Sequence, residues 1–220
     1  MTAPPNFNRL AGLYRWMEWL TFGPLLQKCR VCFLAAAAGS RRALILGDGD
    51  GRFTARLLAA NPLIEIDAID ASPAMLRALA RRAGPDSARV HTHCADARLL
   101  RPSDAAYDLV ISHFFLDCLS TEEIHALATA LRSSISPTAQ WMVSEFNAPR
   151  NWFGRLIARP LISALYRAFG LLTGLAIRQL PDHSAALRAS GFTIAHRRTR
   201  LAGLLISELW FPNETEQPQT

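Results

Sequence analysis

The stretch Ala43-Leu44-Ile45-Leu46-Gly47-Asp48-Gly49-Asp50-Gly51-Arg52-Phe53 constrains the chain more than any other. An apolar run opens into three alternating glycines and then into a helical pattern. Leu44 to Leu46 read as a buried parallel strand. The glycines let the backbone turn sharply and approach a ligand more closely than any Cβ allows. Gly-rich turns also close ordinary strand-to-helix connections, so the context has to decide. Leu63 to Asp70 is a second strand candidate, and its last carboxylate lies 19 residues after Gly51, close to the roughly 20 expected for a residue that bonds ribose hydroxyls. Ser72 and Pro73 follow as an N-cap and a first-turn proline, with Met75, Leu76 and Leu79 at helical spacing. The order strand, glycine loop, helix, strand, carboxylate, helix predicts a nucleotide-binding α/β unit.

The charges in the loop bear on which nucleotide. A dinucleotide fold uses G-x-G-x-x-G, with the pyrophosphate at the helix start. Here the third glycine comes one residue early and Arg52 fills its place. Asp48 and Asp50 put carboxylates where phosphates would lie, and one like-charge contact at about 4 Å costs roughly 4 kcal/mol at an effective dielectric near 20. An NAD-dependent oxidoreductase is therefore disfavoured. S-adenosylmethionine (AdoMet) suits the loop better, because it carries a sulfonium and an α-amino group and no phosphate.

With these residues the chain resembles the class I AdoMet-dependent methyltransferases over roughly residues 7 to 211. The resemblance implies that Gly47, Gly49 and Gly51 lie under the methionine and ribose of the cofactor, and that Asp70, with Ala71 beside it, holds the ribose. It assigns Asp96 and Ala97 to the adenine, with Asp96 reaching the exocyclic amine. Tyr107 to Phe114 resembles the fourth strand, which brings Ser112 to the cofactor and His113 to the catalytic face. The family's acidic residue two places before the first glycine is Ile45 here, so Asp48 becomes the candidate for the methionine amino group.

The remaining chain fits one such domain. Its 220 residues and 50% hydrophobic composition allow a single sizeable core, with no repeat or linker. Ser120 and Glu123 form a capping box for a helix from Thr121 to about Ser134, and Ala139 to Glu145 reads as a fifth strand. A helix from Pro181 to Ser190 and two strands, Phe192 to Arg198 and Leu204 to Phe211, complete the pattern. The expected fold is α/β: a Rossmann-like, doubly wound, seven-stranded sheet, mostly parallel with an antiparallel C-terminal strand. N-terminal cap helices (about 7–38) and a helical insert (about 151–180) are expected over the active site of a single domain, 1–220.

Composition narrows the partners. The net charge is +6, yet Lys28 is the only lysine, and the arginines are scattered without stacking aromatics between them. This argues against nucleic acid. Cys29 and Cys32 lack a matching second pair for a structural zinc site, so no metal is expected and the four cysteines suit a reducing, cytoplasmic compartment. Arg155, Arg159 and Arg167 interrupt the apolar stretch of the insert, which argues against a membrane span but is compatible with peripheral contact at headgroups. Nothing in the sequence fixes the oligomeric state.

Two aromatic-rich segments suggest the acceptor. The leading segment, Phe7 to Gly23, resembles that of ubiquinone and menaquinone C-methyltransferase-like proteins, and Ile162, Leu165, Tyr166, Phe169 and Leu172 form a helical stripe in the insert. Tyr14, Trp16, Trp19, Trp152 and Phe153 are therefore expected to line an apolar pocket for a small or lipophilic acceptor. Methyl transfer is an in-line displacement, and orientation alone supplies roughly 7 to 11 kcal/mol. His113, with an unperturbed pKa of about 6.5, is the first candidate base, with Asp117 four residues on to orient it or bind the acceptor and Glu145 as a second carboxylate at the rim. O- or C-methylation is the activity these residues favour, and a non-catalytic AdoMet-binding protein is the alternative from another class.

Overall fold

The computed structural model describes residues 24–100, 106–149, 152, 154, 156, 160 and 180–213. Seven strands form one sheet: β1 (Arg42–Leu46), β2 (Glu65–Asp70), β3 (Val90–Cys94), β4 (Tyr107–His113), β5 (Ile135–Phe146), β6 (Phe192–Arg200) and β7 (Leu205–Pro212). Their order is β3-β2-β1-β4-β5-β7-β6. The first five pair in parallel, and β7 runs antiparallel between β5 and β6. The expected fold is thus observed, including the antiparallel close. The strand order reverses between β1 and β4, and the crevice at such a switch point is where open α/β sheets bind ligands.

Five α-helices cover the sheet among the described residues: α1 (Pro24–Arg30), α2 (Arg52–Ala60), α3 (Pro73–Ala83), α4 (Thr121–Leu131) and α5 (His183–Ala189). Alternation along β1 divides the core. Leu44 and Leu46 join Ile124, Leu127, Trp141, Leu187 and Trp210 under α4 and α5. Ala43 and Ile45 join Phe53, Leu57, Ile66 and Leu79 under α2 and α3. Burial of Ile45 within this second cluster explains why no acidic residue stands there: its side chain points into the sheet face, away from solvent.

Local capping sets the helix starts. Ser72 accepts the Met75 N–H with Pro73 at the first helical position, and Ser120 and Glu123 make the reciprocal capping box of α4. The ends differ modestly from expectation. Helix α4 stops at Leu131, and β5 begins at Ile135 because the Tyr107 N–H bonds the Ser134 carbonyl and recruits the preceding turn into the sheet.

Candidate active site

The residues of the candidate site lie at or just beyond the carboxyl ends of the parallel strands. The β1 chain turns through Gly47, Gly49 and Gly51, all with positive φ (67°, 59° and 79°). The three are not equivalent. A Cβ on Gly47 would lie 2.4 Å from the Phe115 ring, and one on Gly51 would lie 2.7 Å from the Leu79 Cα. On Gly49 the nearest atom is the Met75 sulfur at 3.9 Å. Gly47 and Gly51 are therefore glycines because the fold packs against them, whereas Gly49 borders open space above the carboxyl ends of the strands. That space is the cradle a cofactor would fill.

Asp70 ends β2 beside this cradle. Its Oδ1 accepts the Ser72 N–H at 2.8 Å, and the Gly49 N–H also bonds its carboxylate. Burial, with the nearby Asp48 charge, raises its pKa to about 6, against these two bonds. A half-buried carboxylate with acceptor capacity left fits ribose hydroxyls, which would supply further donors. Ala71 follows as an exposed residue on the same edge.

The other loop carboxylates have different tasks from those expected. Asp48 turns inward and caps α2, accepting the Thr54 N–H at 2.8 Å, the Thr54 hydroxyl at 2.7 Å and the Phe53 N–H at 3.3 Å. Its assignment to the methionine amino group is thereby corrected: its oxygens hold the helix start, which lacks an N-cap side chain at Gly51. Asp50 turns outward to Arg82 at 2.7 Å and Arg52 at 3.3 Å. The pair does not confront a ligand as two bare charges.

Ser112 also differs. It is fully buried, and its hydroxyl accepts the Trp141 indole N–H at 2.9 Å, so it satisfies a core tryptophan on the face away from α2. Asp96 lies beyond β3 as expected, but Arg98 clamps its carboxylate with Nε at 2.9 Å and a terminal nitrogen at 2.6 Å, which lowers its pKa. Ala97 is buried in the same turn.

At the rim, Glu145 is 1% exposed and its Oε1 accepts the Phe115 and Leu116 N–H groups at 3.1 and 2.8 Å, while Oε2 is buried without a hydrogen-bond partner. Burial and the neighbouring Asp117 push its pKa well above the ordinary carboxyl range. Asp117 itself is raised to about 6 by burial, and the Cys118 thiol donates to it at 3.6 Å. His113 is brought to the same edge but is not a solvent-poised base. It packs edge-on to Phe53 at 4.6 Å, and burial together with the Arg30 charge lowers its pKa to about 3. The expectation of a titration near 6.5 is corrected accordingly.

Two residues of the site were missed in the sequence. Arg30, at the end of α1, lies close enough to influence both Asp48 and His113. Cys118 sits against Asp117 with a thiol pKa pushed well up by burial. Neither carries a motif. Trp152 is 64% exposed, so it does not line an enclosed pocket. Tyr14, Trp16, Trp19, Phe153 and the stripe from Ile162 to Leu172 lie outside the described residues. His93 pairs with Asp67 at 3.1 Å, all four cysteines are free, and no metal-holding cluster occurs among the described residues. No helix among the described residues is long and apolar enough to cross a membrane.

Strand order and glycine loop together give the fold of the methyltransferases to which the chain is similar. Residues 43–138 match the family described as methyltransferase domain. Over 99 residues the chain is 38% identical to malonyl-[acyl-carrier protein] O-methyltransferase of Halorhodospira halophila, a match covering 45% of this chain and 32% of that protein. Among solved structures it is similar to an O-methyltransferase family protein from Burkholderia thailandensis (TM-score 0.70, 17% identity, 94% of this chain and 61% of that one). It is also similar to the mitomycin 7-O-methyltransferase MmcR (TM-score 0.67, 15% identity, 94% and 60%). The chain thus spans about a third of the curated relative and about three fifths of these structures.

Proposed function

We propose that the protein is an AdoMet-dependent O-methyltransferase acting on a small or lipophilic acceptor. The observation that carries this reading is the pairing of the Gly49 cradle, at the end of β1 beside the β1–β4 switch point, with the half-buried Asp70 carboxylate at the end of the neighbouring β2. The donor set agrees with it. The carboxyls around the cradle, Asp70, Asp117 and Glu145, suit a ligand bearing sulfonium and ammonium charges and are a poor match for a pyrophosphate.

Bound AdoMet supplies an electrophilic methyl carbon, and the chain's own residues bind and orient. Gly47, Gly49 and Gly51 shape the floor, Asp70 holds the ribose, and Asp96 holds the adenine once Arg98 yields an oxygen. Ala71 and Ala97 flank these contacts. The Glu145 and Asp117 pair closes the acceptor side. The names of the relatives favour oxygen over carbon as the methylated atom. The likeness of residues 7–23 to ubiquinone and menaquinone C-methyltransferase-like proteins supports only a lipophilic acceptor, met in the cytoplasm or at a membrane surface through Arg155, Arg159 and Arg167. We read the 220 residues as one catalytic unit. Mass spectrometry of the protein as purified tests the cofactor assignment: retained AdoMet or S-adenosylhomocysteine supports it, and retained nicotinamide dinucleotide overturns it.

A further inference from the structure

Two helices carry a layer of arginine that the cofactor site leaves unused. Helices α2 and α3 pack side by side over Phe53, Leu57 and Leu79, and neither contains an aspartate or a glutamate. Scattered along the chain, Arg52, Arg56, Arg77, Arg81 and Arg82 are gathered by this packing into one layer. Arg52 and Arg56, like Arg77 and Arg81, stand four residues apart, so each helix keeps a like-charge pair on one face, an arrangement that destabilises a helix on its own. Arg56, Arg77 and Arg81 are exposed and make no hydrogen bond or ion pair among the described residues.

The glycine loop brings Asp50 to the same layer, where its carboxylate is already taken. Arg82 donates to its Oδ2 at 2.7 Å and to its backbone carbonyl at 2.8 Å, and Arg52 donates to the carboxylate at 3.3 Å. A cavity of about 340 Å³ opens beside this pair, lined by Asp50, Ala78, Arg81 and Arg82. The short Ala78 side chain leaves it room, and with Arg82 turned to Asp50 the guanidinium of Arg81 is the unpaired donor in it. A planar fork of this kind matches a carboxylate.

We propose that the outer face of α2 and α3 is a docking surface for an acidic protein partner, one of whose carboxylate side chains enters the cavity and pairs with Arg81. Charge complementarity commits the face to this occupant. The large apolar side chains exposed among the described residues are Leu63, Leu99, Trp152, Leu156 and Leu201, and none lies on either helix, so the face has no wedge to place in a lipid surface. A nucleic acid carries a charge at every phosphate and would set one against Asp50 within the layer. A protein surface spaces its carboxylates and can leave a neutral donor opposite Asp50. Partner carboxylates on the two i, i+4 pairs also remove the repulsion that each helix keeps when alone.

The test is fluorescence anisotropy of a labelled helical peptide with glutamates at i, i+4 spacing, titrated with the full chain at about 0.1 M salt. The same peptide with glutamines, a DNA duplex and phosphatidylserine vesicles are measured beside it. The glutamate peptide is expected to bind and the glutamine peptide not to. Joint replacement by Arg56→Gln, Arg77→Gln and Arg81→Gln is expected to weaken binding about tenfold, since exposed pairs are weak singly and act here together. Removing the same charge elsewhere, by Lys28→Gln, Arg188→Gln and Arg198→Gln on α1, α5 and β6, is expected to change it less than about threefold. Should the first variant not fold, wild-type amide resonances of α3 that shift with the glutamate peptide while those of α5 stay in place give the same support. No glutamate-peptide binding, equal loss in the two triple variants, or tighter binding of the duplex or the vesicles through Arg56, Arg77 and Arg81 overturns the docking surface.

Discussion

The Oε1 of Glu145 accepts the Leu116 N–H at 2.8 Å, joining the end of β5 to the turn that follows β4. The Phe115 N–H bonds the same oxygen at 3.1 Å, and Phe115 in turn packs over Gly47. One carboxyl therefore holds the acceptor rim and the cofactor loop in register. Glu145→Ala leaves two N–H groups without their acceptor, at about 1–3 kcal/mol each. Glu145→Gln keeps an amide oxygen for both and removes a buried acid, so urea denaturation should show the alanine variant about 2–6 kcal/mol less stable and the glutamine variant near wild type.

The three loop glycines should separate in mutagenesis. Gly51→Ala meets the Leu79 backbone and Gly47→Ala meets the Phe115 ring, both at positive φ, so both should fold poorly. Gly49→Ala has room, and its left-handed backbone costs about 1–2 kcal/mol. The Gly49→Ala protein should remain folded by circular dichroism yet lose AdoMet binding in calorimetry, because its methyl group projects into the cradle.

Ligand-induced stabilisation discriminates the cofactor. AdoMet or S-adenosylhomocysteine at 100 times its Kd should add about 2.7 kcal/mol to folding stability. NADH should leave the melting temperature unchanged, and a shift produced by NADH alone would contradict the AdoMet reading of the site.

On the proposed reading, Asp70 should couple AdoMet binding to pH. With its pKa raised to about 6, the carboxylate form needed for ribose is lost below that pH, and AdoMet affinity should fall about tenfold per unit there. Asp70→Ala should lower affinity by one to three decades at pH 7.5, since bonds to charged groups are worth about 1.5–3 kcal/mol each. The stability effect has the opposite sign. Folding raises this pKa, so the folded chain keeps a proton between about pH 4 and 6 that the unfolded chain has lost. The resulting stability is present in acid and disappears as pH rises through 6. Ligand-free Asp70→Asn should therefore be about 1–3 kcal/mol more stable than wild type at pH 7.5 in urea melts.

His113 titrates in the reverse sense. Burial lowers its pKa to about 3, so below pH 6.5 the unfolded chain gains a proton that the folded chain refuses. Its contribution to stability is complete above pH 6.5 and is lost at about 1.4 kcal/mol per unit as pH falls toward 3. His113→Phe should flatten the pH dependence of stability between pH 4 and 6.5. In single-turnover kinetics the wild-type rate should show no inflection near pH 6.5, and an inflection there that His113→Asn removes would restore this residue as a base.

The strands, the glycine loop and the helix starts were legible along the chain because their causes are local. Alternation in Ala43 to Leu46 assigned each residue to one of two core faces. Ser72, Ser120 and Glu123 capped the helices their own neighbours opened, and Asp70 stood where the strand ended. Tertiary structure decided what the polar groups do. Whether Asp48 faces a ligand or caps α2 depends on how tightly the glycine turn folds back onto Thr54. Asp50 faces outward because Arg82, 32 residues on, arrives beside it on α3. Ser112 is a core residue because Trp141 needs an acceptor, and the end of α1 lies against the sheet because serines on β5 and β7 fix the Cys29 carbonyl. Hydrogen-bond pairing and desolvation are set by distance in space, and a linear sequence carries that distance only after the strands have taken their order.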